Sequence, residues 1–334
     1  MKLSICIPTF NRAHCLVNCL NSIRLNIGIN KIDYEICISD NGSSDDTQKV
    51  VNEFRSNIKI KYFRFDQNRG RVSNYLKVIE IADGDFIWLL GDDDLLLPNA
   101  LMTVCELIKA NEDVDFFYIN SFNLSAGYIS SFPKPFDTNS LPENMAKFST
   151  YNKRGKRRFL TLIDPSISFD FVGAMFLAVF KRKKWFEHVK ALNQEAIIDM
   201  NSFSHFDNTF PHVKIFARAF SNSLAYFYEK PLTVNLSGER EWSPMSPLVN
   251  IVRLVEALDE YRLNGLSYFR YWYCKNFAYR TFWPDYMRII LRRKESGYIY
   301  IRPIKLLFNA MLFPYSWVSP VFYLIDLIKQ RLKA

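Results

Sequence analysis

A chain of 334 residues is long enough for one large domain or two smaller ones. Hydrophobic residues at 49% and charged residues at 23% exclude a disordered chain. The net charge of +9 favours anionic partners such as nucleotides, nucleic acid or acidic lipid, without choosing among them.

The short apolar run Leu3–Ile7 predicts a first strand and leads into the loop Pro8-Thr-Phe-Asn-Arg12. It is too short for a secretory leader. The six cysteines, at 6, 15, 19, 37, 105 and 274, form no C-x-x-C pair and no zinc spacing. This usage suits a reducing compartment, and a cytoplasmic protein is expected. Leu16, Leu20 and Ile23 share one face of a helix predicted over 13–25. A second strand is predicted at 34–39, then a turn at Asp40-Asn-Gly-Ser-Ser-Asp-Asp-Thr47 with several N-cap residues before a helix. A third strand at 58–65, a loop at 66–70 and a helix at 72–82 follow.

The run Phe86–Leu90 reads as a strand buried on both faces. It ends at Gly91 and delivers Asp92, Asp93 and Asp94 side by side. Adjacent carboxylates repel, so a fold keeps them where a cation or hydrogen-bond donors compensate the charge. Hard oxygen donors suit Mg²⁺ or Mn²⁺ on a diphosphate. An acidic turn that caps the next helix is the plainer reading. That helix is predicted from Pro98 to about Ala110, and a further strand over 114–120. Strands alternating with helices predict right-handed βαβ units and a parallel sheet, with ligands at the carboxyl ends of the strands. All the polar loops above lie at those ends. There is no G-x-G-x-x-G after the first strand and no Walker A lysine, which disfavours those two nucleotide sites. A nucleoside diphosphate with a metal is the ligand expected.

The opening Ile5-Cys-Ile-Pro-Thr-Phe-Asn-Arg12, the turn 40–47, Asn68-Arg-Gly70 and the acidic cluster before Pro98 together resemble the family 2 glycosyltransferases of GT-A fold. The match covers roughly residues 1–105. It implies an α/β fold, a mostly parallel sheet flanked by helices, and inverting transfer from a nucleotide-activated sugar. It implies a nucleotide pocket formed by Pro8, Thr9, Asn11, Arg12, Asp40, Asn41, Gly42, Asn68, Gly70, Arg71 and Asp92. It also implies a D-x-D motif holding Mn²⁺ or Mg²⁺, with Asp93 and Asp94 as ligands. The chain departs from the family at Gly91, where the first Asp of that motif usually stands. Asp93 and Asp94 then match the later acidic positions, or Asp92-x-Asp94 is the working pair. The Leu-Gly-Asp-Asp-Asp variant is similar to family members that add deoxy or dideoxy sugars, such as abequose, to O-antigen units.

Residues 121–165 are polar and irregular, with a basic run over 153–158 that reads as a solvated face or a contact for a lipid phosphate. Phe171–Phe180 returns to a buried strand pattern, and a helix follows Lys181-Arg-Lys-Lys-Trp185. The family places its general base at a helix start in the region after this, and Asp207 matches that place. Glu195 and Asp199 are the alternatives, and a plain N-cap is the bland reading of Asp207. His205 and His212 read as structural residues, with a metal or phosphate contact as the alternative. Tyr228–Gly238 matches the family's last strand and a loop in which Arg240 and Trp242 are candidate lid contacts.

From 246 the composition changes: an amphipathic helix at 248–263, aromatics interleaved with Arg and Lys at 268–293, and a run without charge over 306–325. That run is long enough to span a bilayer, but its prolines and polar residues favour an interfacial anchor. The expected organisation is 1–245 as the GT-A domain, with 1–120 its nucleotide half and 121–245 its acceptor half, followed by a helical region at 246–334. The expected partners are a nucleotide-sugar donor, a lipid-linked oligosaccharide acceptor and the inner face of the cell membrane, with no nucleic acid. The competing expectation is an inactive nucleotide-sugar binder or a membrane scaffold.

Overall fold

The computed structural model describes residues 1–27, 33–238 and 243–331. Its first half follows the βα alternation. It runs β1 (Leu3–Thr9), α1 (Ala13–Asn26), β2 (Tyr34–Asp40), α2 (Thr47–Arg55), β3 (Ile60–Arg64), α3 (Arg71–Glu80) and β4 (Phe86–Leu89). These strands are parallel in the order β3-β2-β1-β4. β1 and β4 are buried nearly throughout because helices cover both faces. Leu16, Leu20 and Ile23 of α1 are fully buried, as their spacing requires.

The second half adds β5 (Leu95–Leu96), α4 (Ala100–Ala110), β6 (Phe116–Ser125), α5 (Ala126–Ser130), β7 (Ala146–Lys147), β8 (Gly155–Arg158) and β9 (Ala178–Lys181). It ends with α6 (Arg182–His188), α7 (Gln194–Ile198), α8 (Phe206–Thr209), α9 (Pro211–Phe220) and β10 (Leu224–Ser237). The sheet continues β4-β9-β6-β10-β5, with β7 on β6 and β8 on β10. β9 inserts antiparallel between β4 and β6. β6 and β10 are parallel over most of their length, with an irregularity between Tyr228 and Thr233.

Several expectations change here. The helix foreseen at Pro98 begins at Ala100, because Asn99 takes a left-handed conformation (φ 65°). The strand foreseen over 171–180 shrinks to its last residues. Phe171 and Val172 both have positive φ, and a 3₁₀ turn at Met175–Leu177 precedes the strand. Pairing with β10 extends β6 to Ser125, well past the foreseen end at Asn120. The basic run at 153–158 is an edge strand in part. Lys156 pairs with Asp113 and Arg154 with Glu229, while Arg157 lies over the rings of Tyr151 and Phe227.

After β10 the chain is helical: α10 (Ser246–Leu248), a π turn (Val249–Arg253), α11 (Leu254–Leu263), α12 (Tyr268–Ala278), α13 (Phe282–Leu291), α14 (Pro303–Ala310) and α15 (Pro314–Arg331). The uncharged run at 306–325 is therefore divided between two helices, with Pro314 starting the second. Among the described residues, no helix is long and apolar enough to cross a membrane. One hydrophobic cluster runs from Leu3 to Phe313 and includes Ile251, Leu258, Tyr261 and Phe282. Each such side chain, fully buried, contributes roughly 1.5–3 kcal/mol, against about 0–1 kcal/mol for a surface ion pair. Apolar burial is therefore the larger contribution that fastens the C-terminal helices to the α/β part.

Candidate active site

The registers of β1 with β2 and β4 bring Thr9 beside Asp40 and Cys6 beside Leu89. The loops after these three strands consequently open on one edge. The Thr9 hydroxyl donates to Asp92 Oδ2 (2.8 Å), and the Thr9 carbonyl accepts from Asn41 N–H and the Asn74 side chain. Asn11, at φ 52°, donates its N–H to Ser43 Oγ and accepts from Ser44 N–H. Pro8 continues β1 opposite Ser39.

Asp40 is fully buried, accepting from Ser43 N–H and the Tyr62 hydroxyl and lying 3.3 Å from Arg64 Nε. Burial and the Asp40 carboxylate push the Tyr62 phenol well up. Asn41 ties the second loop to the third, donating to Asn68 Oδ1 and the Gly70 carbonyl and accepting from Arg69 N–H. Asn68 in turn accepts from Gly70 N–H. Gly42 sits at φ 79°, where a Cβ would stand 2.9 Å from the Gln67 backbone, so only glycine lets these loops approach.

The acidic cluster is almost wholly buried. Arg12 reaches it across the sheet edge, with Nη1 3.0 Å from Asp92 Oδ1 and Nη2 2.7 Å from Asp93 Oδ2. Burial lowers the Arg12 pKa, but Asp92 and Asp93 outweigh it and raise it well above its ordinary value. Asp94 turns inward, accepting from Gly91 N–H (2.6 Å) and Asn235 Nδ2 (3.0 Å). A Cβ at Gly91 would lie 2.7 Å from Asp93 Oδ1 and 3.1 Å from Asp94 Oδ2, so a side chain there would displace the two carboxylates. Asn235, on β10, has no signal in the sequence beyond being a polar residue in a mostly apolar strand.

Among the described residues, no group of three or more His, Cys, Asp or Glu is arranged for a metal. The Arg12 guanidinium lies between Asp92 and Asp93 and compensates their charge. The pair fits a hard cation in charge and in donor type. Of the two expected ligands, Asp93 is on that side, whereas Asp94 braces the loop.

Asp207, at the start of α8, is buried. Its carboxylate accepts from Asn193 N–H (2.6 Å) and from Lys214 Nζ (2.7 and 3.0 Å). With Asn193, Ala196, His205, Phe206 and Lys214 it lines a cavity of about 200 Å³. Asp199 accepts from the Ser204 hydroxyl and Asn201 N–H, and these bonds lower its pKa. Its carbonyl and Met200 lie against Gly70. Glu195 is exposed on α7. Arg71, expected at the nucleotide pocket, instead donates to the carbonyls of Asn208 and Thr209. His205 is exposed, 3.9 Å from Asp199. His212 is a core residue bonded to the Gly173 carbonyl, and burial pushes it down to about 4. Arg240 and Trp242 lie outside the described residues.

The family model for glycosyl transferase family 2 matches residues 4–177, more than half of the chain. The chain belongs to glycosyl transferase family 2. Among relatives, this family 2 chain is 38% identical over 116 residues to abequosyltransferase RfbV of Salmonella typhimurium, 34% of each chain. It is 36% identical over 160 residues to the GalNAc(5)-diNAcBac-PP-undecaprenol beta-1,3-glucosyltransferase of Campylobacter jejuni, 44% of this chain and 49% of that one. These matches span a third to a half of the relatives' lengths. In fold, it is similar to S. aureus TarS 1-349 in complex with UDP. The TM-score is 0.56 at 14% identity, over 84% of this chain and 72% of that one. It is also similar to the mannosyltransferase PcManGT of Pyrobaculum calidifontis in complex with GDP-Man and Mn2+. There the TM-score is 0.51 at 12% identity, over 97% and 87%. At these identities the likeness is one of fold.

Proposed function

We propose that this chain is an inverting glycosyltransferase that moves a sugar from a nucleotide-sugar donor to a lipid-linked saccharide, in the assembly of a surface polysaccharide such as O-antigen. The observation that carries the reading is the buried Asp92–Asp93 pair, which binds the Arg12 guanidinium at the sheet edge. Thr9 links it to the loop after β2, its hydroxyl donating to Asp92 and its carbonyl accepting from Asn41 N–H. The relatives that act on abequose and on an undecaprenol-linked substrate support the donor class, a deoxy or dideoxy sugar, and the acceptor class.

In this reading Pro8, Thr9, Asn11, Asp40, Asn41, Gly42, Asn68 and Gly70 form the nucleotide pocket, and residues 1–245 form the catalytic unit. Thr9 fixes Asp92, and Asn235 with Gly91 N–H fixes Asp94, so the acidic loop is set before the donor arrives. Asp93, with Asp92 beside it, would hold Mn²⁺ or Mg²⁺. Such an ion, when bound, neutralises charge on the leaving diphosphate. Arg12, half-exposed at the same place, turns to the phosphates. Asp207 accepts the proton of the acceptor hydroxyl as that oxygen bonds to the anomeric carbon. The bond from that carbon to the diphosphate oxygen breaks on the opposite face, so the configuration inverts.

The test is incubation of the full chain with UDP-, GDP-, dTDP- and CDP-sugars, Mn²⁺ and a bacterial lipid extract. One donor should release its nucleoside diphosphate and label the lipid fraction. Release from none of them would leave a binder, not an enzyme.

The C-terminal helices are proposed to rest on the cytoplasmic face of the membrane. Ile304, Phe308, Leu312, Trp317, Val321 and Leu324 are exposed, beside exposed Arg292, Arg293, Lys294, Arg302 and Lys305. Apolar side chains rimmed by cations suit an anionic bilayer surface. The chain is expected to sediment with vesicles containing acidic phospholipid. The double variant Phe308→Asp, Trp317→Asp is expected to stay in the supernatant with an unchanged melting temperature. Equal sedimentation of both proteins would contradict the placement.

A further inference from the structure

The loop over 199–209 is a connection tied largely to itself. The Asn208 side chain donates to the carbonyls of Ala196 and Asp199 and accepts from Phe203 N–H. Phe203 is buried although its φ is 70°, a conformation that a bulky residue holds only when its surroundings impose it. Two arginines supply the imposition. From α3, Arg71 lies over the Phe203 ring at 4.5 Å and donates to the carbonyls of Asn208 and Thr209. From the π turn at the start of the C-terminal helices, Arg253 enters the loop. It is 4% exposed. Its Nε and Nη2 donate to the Phe203 carbonyl at 3.1 and 3.0 Å, and Nη2 also donates to the Ser204 carbonyl at 2.6 Å. Its Nη1 is bound by both oxygens of Glu256. The guanidinium thus has a counter-charge on its own helix and spends its remaining donors on loop backbone. A π turn re-aims side chains relative to a regular helix, and Arg253 is the last residue of this one.

We infer that Arg253 is a positioning residue for the acceptor loop. The C-terminal helical region thereby completes the active site as well as carrying the chain's exposed apolar face. The inference rests on the proposal that this loop presents the proton acceptor. Arg253 touches no reacting atom. It fixes two carbonyls three or four residues before Asp207, and a misplacement of about 1 Å at a reacting group lowers rates by up to about 10²-fold.

The experiment uses the full chain as wild type, Arg253→Ala, Arg253→Lys and Glu256→Gln. Amide hydrogen exchange is measured without ligand, and kcat and donor KM with the donor that the transfer assay identifies. In Arg253→Ala, exchange at 203–208 should speed up about tenfold or more. Exchange in β1 and β2 should be unchanged. kcat should fall about 10- to 100-fold with donor KM within about twofold of wild type. Arg253→Lys, with one nitrogen for two carbonyls, should fall between the two. Glu256→Gln keeps the backbone bonds and should match wild type. The inference is overturned by unchanged exchange at 203–208, by a loss of protection spread evenly over sheet and loop, or by a Glu256→Gln enzyme as impaired as Arg253→Ala. Should Arg253→Ala fail to fold, a wild-type exchange pattern and kcat in Arg253→Lys overturn it equally. A normal Asp207→Asn enzyme beside an impaired Arg253→Ala enzyme keeps Arg253 in its role and moves the base elsewhere in the loop.

Discussion

An Asp207→Asn enzyme is expected to bind donor as the wild type does and to turn over about 10²- to 10⁴-fold more slowly, the usual contribution of a positioned general base. The amide keeps an oxygen for Asn193 N–H and loses the charge that pairs with Lys214. Both side chains of that pair are largely buried, so stability falls as well. Removing one partner of a buried pair costs about 3–5 kcal/mol at the upper end. The diagnostic is therefore kcat against donor KM at a temperature where the variant is folded. A variant with full turnover would remove Asp207 from the chemistry. Asp199→Asn and Glu195→Gln serve as controls. Asp199, whose backbone lies against Gly70, is the residue to carry the effect in that event.

The second large effect is expected at Asp93. Asp93→Asn removes one of the two carboxylates that hold Arg12 and the one proposed to ligate the metal. A fall in kcat of about 10²- to 10³-fold is expected, the scale of losing one preorganised electrostatic partner. The Mn²⁺ concentration for half-maximal rate should rise. Asp94→Asn is expected to differ in kind. Its carboxylate is bound to Gly91 N–H and Asn235, so its loss loosens the acidic loop and lowers the melting temperature without moving the Mn²⁺ requirement. Rate titrations with Mn²⁺ for the two variants separate these roles, and a shift in Asp94→Asn with none in Asp93→Asn would reverse them.

The parallel half of the fold was legible because each apolar run there is bounded by turn residues and followed by a 3.6-residue pattern, as in Leu16, Leu20 and Ile23. The acidic trio was legible as three adjacent carboxylates at the end of an apolar run. Its pairing with Arg12 was not, because 81 positions separate Arg12 from Asp93 and only the parallel register of β1 and β4 brings them together. Phe171–Phe180 misled for a related reason. Burial gives loop and strand the same apolar signature. The left-handed backbone at Phe171 and Val172 accompanies long-range bonds from the Tyr261 hydroxyl to the Phe171 carbonyl and from His212 to the Gly173 carbonyl. β5, β7 and β8 are too short to carry a periodic pattern and exist through their partners β6 and β10. Asn235 and Arg253 belong to the same class: each acts on a segment far away in sequence, and neither sits in a motif.

The most direct measurement is the melting temperature of wild type and of the Asp92→Asn, Asp93→Asn double variant with UDP-, GDP-, dTDP- and CDP-sugars, each with and without Mn²⁺. A ligand that binds the folded state alone raises the melting point, by more the tighter it binds. One nucleotide sugar should stabilise the wild type, more strongly with Mn²⁺, and the double variant should lose that increment. Stabilisation by none of the four, or an equal shift in both proteins, would contradict a donor site built on those carboxylates.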